Sequence, residues 1–301
     1  MPTPLDCLII GAGPAGLTAA IYAARFHLNV RIIDSGKSRA LQIARTHNHA
    51  GFPEGISGVE LLQRMRTQAA KYGSLIDEGR VHNLQKTDGG FVASTDIGVI
   101  NATSVIIATG VTNRRPEMSE TLHSEALKSG RLRYCPVCDG YEVTGKSVAV
   151  IGAGEAAVKE AVFMKSFTQH VTFVGSQAID EAERSHLEKF GIPFVAGPAR
   201  EFNLEKDGIS FVCQSYRFGF DTVYPALGSS VHSELAIQLG AKITNDACIK
   251  VDSHQRTSVE GLYAVGDVVI GLDQISHAMG QAGVCATTVR NDLALRGRFP
   301  C

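Results

Sequence analysis

A chain of 301 residues, 44% hydrophobic and 20% charged, has enough apolar mass for two ordinary soluble domains. Its formal net charge of −1, with no long basic run, gives no electrostatic footprint for nucleic acid or an anionic membrane. No segment approaches a membrane span and Leu8-Ile9-Ile10 is too short for a signal peptide; seven scattered cysteines, an odd number, fit a reducing, cytoplasmic setting better than a disulfide scaffold.

Leu5 to Ile10 reads as a first strand and runs into Gly11-Ala12-Gly13-Pro14-Ala15-Gly16. An Ala-rich helical stretch follows from Leu17 to about Phe26, then a strand at Val30–Ile33 ending in Asp34. Gly11 allows a tight turn, Gly13 lets a pyrophosphate approach the backbone, and Gly16 lets the helix pack close to the strand. The helix N-terminus attracts the pyrophosphate, and Asp34 can accept hydrogen bonds from a ribose diol. A glycine fingerprint alone is weak; with a strand before it and an acid after the next strand it points to an adenine dinucleotide.

Residues 35–60 read as loop, with His47, Asn48 and His49 close enough together to line a ligand. The histidines have no carboxylate or Cys at metal-ligand spacing. Residues 58–72 read as a helix, with short strands around Val81, Phe91-Val92 and Val99. Ser104-Val105-Ile106-Ile107-Ala108-Thr109-Gly110 reads as a buried strand ending in small residues. The polar run Thr112-Asn113-Arg114-Arg115-Pro116 marks a domain boundary.

Beyond it stands Tyr134-Cys135-Pro136-Val137-Cys138-Asp139-Gly140. Two cysteines at this spacing can close a small disulfide. Pro136 fits the first position of a helix capped by Cys135, an arrangement that favours the thiolate. Asp139 is placed to supply or accept a proton. Half of a zinc site, or two inert thiols, are the competing readings. Zinc needs a second pair, and Cys7, Cys213, Cys248, Cys285 and Cys301 are all isolated, so a redox pair is favoured.

Val148–Ile151 followed by Gly152-Ala153-Gly154 and a helical stretch repeats the strand–turn–helix pattern, with a next strand at Val171–Val174. In the last part, the strand Leu262–Val265 ends in Gly266-Asp267, where a carboxylate can meet a polyol. From Gln274 to about Leu295 the spacing is helical, with a frayed tail at 296–301.

In this order the motifs resemble the low-molecular-weight thioredoxin reductases over nearly the whole chain. The resemblance rests on Cys135-Pro136-Val137-Cys138-Asp139-Gly140, the two glycine fingerprints, Ala108-Thr109-Gly110 and Gly266-Asp267. It implies two Rossmann-like, three-layer ββα nucleotide-binding domains, the second inserted into the first. The FAD domain would take residues 1–113 and 229–301, and the NAD(P)-binding-like domain with the cysteines residues 114–228. By the same resemblance Gly11, Gly13, Pro14, Ala15, Gly16, Asp34 and Ser35 hold the adenosine diphosphate half of FAD. Asn48, Thr109, Gly110, Gly266, Asp267, Gln274 and Ile275 line the rest. Cys138 would face the flavin, Cys135 would meet the substrate, and Asp139 would donate the proton. A homodimer is implied, with a thioredoxin-like protein or a small dithiol as partner.

Two positions depart from that family. The acid of the first unit lies 23 positions beyond Gly11, and the same offset from Gly152 lands on Gly175. Around it stand Ser176 and Gln177, then Asp180, Glu181 and Glu183: no acid for an NAD ribose, no arginines for the 2′-phosphate of NADP, and acids that repel it. Asp273 stands where the family commonly has arginine. The Gly152–Gly154 turn is therefore expected to serve NADPH poorly, and to be empty or to hold another dinucleotide such as a second FAD. Related branches take electrons from ferredoxin or oxidise small dithiols. The expected activity is FAD-dependent disulfide oxidoreduction through Cys135 and Cys138. The alternatives are an ordinary NADPH-dependent thioredoxin reductase and a non-catalytic flavin redox sensor.

Overall fold

The computed structural model describes residues 5–297. The chain runs β1 (Leu5–Ile10), α1 (Pro14–Arg25), β2 (Val30–Asp34), a 3-10 turn (Arg39–Gln42), α2 (Gly58–Lys71) and β3 (Leu75–Glu78). Then follow β4 (Val81–Thr87), β5 (Gly90–Thr95), β6 (Gly98–Ile107), β7 (Val111–Asn113), α3 (Glu120–Lys128), α4 (Pro136–Asp139) and β8 (Val148–Gly152). Next come α5 (Gly154–Met164), β9 (Val171–Gly175), α6 (Glu181–Lys189), β10 (Phe194–Ala196), β11 (Arg200–Leu204), β12 (Ile209–Cys213), β13 (Tyr216–Phe220) and β14 (Thr222–Ala226). The chain ends through β15 (Ser229–Val231), α7 (Glu234–Gln238), β16 (Leu262–Ala264), a 3-10 turn (Gly266–Val268) and α8 (Ile275–Leu295).

Two compact units result. One takes the chain up to residue 41, residues 58–112 and the chain from 231 onward; the other takes 42–57 and 113–230. The first holds a seven-stranded sheet of order β3-β2-β1-β6-β5-β4, with β16 also on β6. β1, β2, β3, β6 and β16 pair in parallel. The central strands β1, β2 and β16 and the second half of β6 are nearly all buried, which is why they read as continuous apolar runs, whereas edge strand β3 is not. β6 is a single ten-residue strand, where the sequence had suggested two pieces. Its first half pairs antiparallel with β5, its second half in parallel with β16. The polar Asn101 faces solvent in the hairpin half, breaking the apolar run without breaking the strand.

Helix α1 packs against α8 through small side chains. Ala19, Ala20 and Ala23 on one and Ala282, Ala286 and Val289 on the other are buried. Alanines at helical spacing let the two backbones approach closely, so a larger residue such as Leu at Ala282 would overpack the contact by ~1–3 kcal/mol.

The second unit has a parallel sheet of order β10-β9-β8-β14 and an antiparallel sheet of order β11-β12-β13. Phe173 and Tyr224, each fully buried, anchor the face of the parallel sheet that α5 covers. Among the described residues, no helix is long and apolar enough to cross a membrane.

Candidate functional site

The cysteine pair is disulfide-bonded, Cys135 to Cys138. Cys135 is the N-cap of α4, its Sγ accepts the Cys138 N–H at 3.1 Å, and Pro136 fills the first helical position. Because α4 is one turn long, it brings this N–H to the sulfur but no full helix macrodipole. Gly140 closes the turn under Phe167: a Cβ there would lie 2.4 Å from the ring and 2.6 Å from the Pro136 carbonyl. Tyr134, directly before the pair, hydrogen-bonds buried His123 at 2.8 Å and anchors the entry to the turn.

Asp139 is enclosed. Its Oδ1 accepts the Tyr224 hydroxyl at 2.8 Å, and its Oδ2 accepts from the Arg133 guanidinium at 2.9 Å. Burial raises its pKa, against the lowering effects of Arg133 and the Tyr224 hydrogen bond, and the net direction is up. An acid so poised can hold a proton beside a sulfur that is leaving or attacking. Sequence reasoning found Asp139 but not its holders. Arg133, two positions before Cys135, offered a signal; Tyr224 arrives through the β14–β8 register and left none.

Asn48 lies in the same unit, and its amide points at the Val137 carbonyl at 3.5 Å, between the two cysteines.

In the first unit the predicted dinucleotide residues converge on the C-terminal edge of the parallel strands. β1, β6 and β16 end level with one another, the Ala108 N–H bonding the Ile10 carbonyl and the Val265 N–H the Ile107 carbonyl. This places Gly11–Gly16, Thr109-Gly110 and Gly266-Asp267 along one crevice, where open α/β sheets bind ligands. Gly11 has φ +103°, and a Cβ on it would lie 2.4 Å from the Ala108 carbonyl oxygen; one on Gly16 would lie 1.9 Å from the Gly11 oxygen. At Gly13 a Cβ would meet only the Ser38 hydroxyl, at 3.3 Å, leaving room on that side.

The N-terminus of α1 has no acid in its first turn, no side-chain cap from Gly13, and Pro14 at its start. Buried Asp34 takes the Ala12 N–H on Oδ1 at 3.0 Å and Arg66 on Oδ2, which leaves acceptor positions on its carboxylate. Ser35 is exposed just beyond. The Thr109 hydroxyl donates to the His232 carbonyl. Asp267 pairs with Arg39 at 3.1 Å; burial first, then the charge of Asp273, raises its pKa. Gln274 caps α8 and Ile275 begins it, again with no acid in the first turn. An uncapped helix start, a turn closed to any Cβ and a carboxylate at each end of the crevice suit the pyrophosphate, ribose and polyol of FAD. Arg39, Arg66 and Ser38 were not foreseen.

The second fingerprint differs at the same point. β8 and β9 end together at Gly152 and Gly175. α5 starts at Gly154 with Glu155 in its first turn. Asp180 and Glu183 form a capping box for α6, and the other Glu183 oxygen lies 4.0 Å from where a Gly154 Cβ would be. The Glu183 carboxylate thus stands at the corner that would receive phosphate, and Glu155 is paired with Lys159 at 2.7 Å. Among the described residues, no group of His, Cys, Asp or Glu is placed to hold a metal ion.

Comparison with known proteins accounts for this arrangement. The profile described as pyridine nucleotide-disulphide oxidoreductase matches residues 5–282. The thioredoxin reductase of Treponema pallidum is 33% identical over 281 residues, 89% of this chain and 90% of that protein. A 34.2 kDa protein in the rubredoxin operon of Clostridium pasteurianum is 30% identical over 297 residues, 94% of this chain and 95% of its own length. The solved structure of thioredoxin reductase from Streptococcus pyogenes superposes with TM-score 0.89 at 27% identity, covering 98% of this chain and all of that one. With a disulfide-bonded CxxC turn on one Rossmann-like unit and a glycine turn between parallel strand and helix on the other, the chain belongs to the pyridine nucleotide-disulphide oxidoreductases, as an FAD-dependent enzyme of the low-molecular-weight thioredoxin reductase type.

Proposed function

We propose that this enzyme exchanges two electrons between FAD and the Cys135–Cys138 disulfide, and on to or from a dithiol or disulfide partner. The observation that carries this is the disulfide followed at once by half-buried, doubly held Asp139. Opening the disulfide takes two electrons and two protons, and Asp139 is the acid placed to handle one proton at the sulfurs. Cys135 meets the partner and Cys138 the flavin side. FAD, when bound by Gly11, Gly13, Gly16, Asp34, Thr109, Gly110 and Asp267, supplies the two-electron chemistry. Pro14, Ala15, Ser35, Gly266, Gln274 and Ile275 complete its site, with Asn48 at the cysteine turn.

NADPH is not the favoured donor. Glu183 stands by the turn at Gly152–Gly154, while Glu155 in the first turn of α5 pairs with Lys159, and Gly175, Ser176 and Gln177 stand where a 2′-phosphate needs arginine. That turn is left empty or takes another dinucleotide such as a second FAD. A ferredoxin or similar carrier is the alternative source, in line with the relative encoded beside rubredoxin. The partner is a thioredoxin-like protein or a small dithiol, and the enzyme works in the cytoplasm as a homodimer. The test is an anaerobic titration of the holoenzyme with a small dithiol. Bleaching of the flavin in wild type and its loss in Cys138→Ser support the reading; equal bleaching in both refutes it.

A further inference from the structure

Asp273 breaks the family pattern, and the structure gives it a partner. One guanidinium nitrogen of Arg39 reaches Asp267 at 3.1 Å and Asp273 at 2.8 Å. Arg39 comes from the 3-10 turn after β2; Asp267 opens the 3-10 turn after β16; Asp273 stands just before the N-cap of α8. All three lie in the first unit. The arginine and Asp267 side chains are 24% and 22% exposed, so the pairing is only partly screened by water.

The triad borders the dinucleotide turn. Ser38, the residue before Arg39, has its hydroxyl 3.3 Å from where a Gly13 Cβ would be, and the residue before Asp267, Gly266, would place a Cβ 2.9 Å from Ala15. The segment ending at Arg39 and the turn carrying Asp267 therefore meet the same first turn of α1. Where the resemblance expects a cation at position 273, this chain has an acid there and the cation at 39.

We propose that Arg39, which also pairs with Asp273, is a positioning residue that holds the Asp267 carboxylate for the polyol of FAD. This rests on the FAD reading above. Without Arg39, Asp267 and Asp273 are two close acids facing each other, which favours protonating one or separating them. The groups facing Asp267 are Asp273, Arg39 and His277, and of these Asp273 raises its pKa while Arg39 and His277 lower it. Removing Arg39 removes a counter-charge and a hydrogen bond together.

The experiment measures FAD dissociation constants of apoprotein by fluorescence quenching, from about pH 6 to about pH 8, for wild type, Arg39→Met, Arg39→Lys, Asp273→Asn and the exchange Arg39→Asp with Asp273→Arg. Thermal melts of the apoproteins confirm folding. Arg39→Met should weaken FAD binding by roughly 10–100-fold and make it worsen towards low pH, because loss of a charge-assisted pair raises the Asp267 pKa. Arg39→Lys should lose less. Asp273→Asn should stay close to wild type, since Arg39 still reaches Asp267. The charge exchange should recover most of the Arg39→Met loss by returning a cation from the other side. Wild-type affinity and a flat pH profile in folded Arg39→Met, or an exchange variant as weak as Arg39→Met, would overturn the positioning role while leaving the FAD reading standing. A wild type that binds no FAD would overturn both.

Discussion

The hydroxyl of Tyr224 on β14 donates to Asp139, 85 positions earlier in the chain and one residue past Cys138, at 2.8 Å. Tyr224 is fully buried in the core of its unit, so the hydrogen bond is built into the packing. With Arg133 on the other oxygen, Asp139 is held against two opposed effects: burial, which disfavours its charge, and two donors that favour it.

Removing a donor shifts that balance in one direction. In Tyr224→Phe the ionised form loses a hydrogen bond and the Asp139 pKa rises further; Arg133→Gln removes a charge and raises it more. Steps needing protonated Asp139 lose rate as pH rises through its pKa, so in disulfide reduction both variants should carry activity to higher pH than wild type. Asp139→Asn should slow turnover about 10²-fold or more and abolish the limb. A pH profile of kcat/KM that does not move in Tyr224→Phe or Arg133→Gln contradicts the arrangement.

The two cysteines should be indispensable and act as a pair. Cys135→Ser and Cys138→Ser should each reduce dithiol turnover by roughly 10³-fold or more, and the double variant should be no worse, because they act as a unit. Thiol titration before and after reduction should show two additional thiols in wild type and none in either variant. Turnover that survives either substitution places the chemistry elsewhere.

Gly13→Leu should yield folded, colourless protein. A Cβ alone is tolerated beside Ser38, but a full side chain fills the approach of the pyrophosphate. Retention of FAD with wild-type affinity would show that the turn is not its site.

Glu160 on α5 is a separate liability. Its Oε1 is buried without a hydrogen-bond partner, and burial raises its pKa to about 7. The folded protein therefore holds a proton that the unfolded chain has lost. Stability tied to this group is complete below the ordinary pKa of 4.5 and is lost as pH rises through about 7. Glu160→Gln should raise the melting temperature at about pH 8, by a stabilisation of ~1–3 kcal/mol, and change little near pH 5. An equal effect at both pH values would mean Glu160 is solvated.

What the sequence made legible is what is local in the chain. The glycine turn, the acid after the second strand and the CxxC turn are each contiguous, and their chemistry depends on spacing alone. What it hid is what the sheet register brings together. Arg39 meets Asp267 across 228 positions, and Tyr224 meets Asp139 across 85, with no periodicity to announce either pair. The strands β11, β12 and β13 were missed because each is five residues long and the flanking β11 and β13 are mostly exposed and mix polar with apolar residues. The helix expected behind Cys135 is a single turn, Pro136–Asp139, with the Cys138 N–H on the Cys135 sulfur. Cys301 and the frayed tail beyond residue 297 lie outside the described residues.

We propose a disulfide-exchanging flavoenzyme that does not draw on NADPH. A 2′-phosphate carries about two negative charges and is normally gripped by arginines. Losing two such contacts, at roughly 1.5–3 kcal/mol each, weakens binding about 10²–10⁴-fold, before any repulsion from Glu183. The direct measurement is to mix oxidised holoenzyme with excess NADPH without oxygen and follow the flavin absorbance, with a small dithiol as the positive control. The account predicts bleaching by the dithiol and little or none by NADPH; rapid, complete bleaching at micromolar NADPH would contradict it.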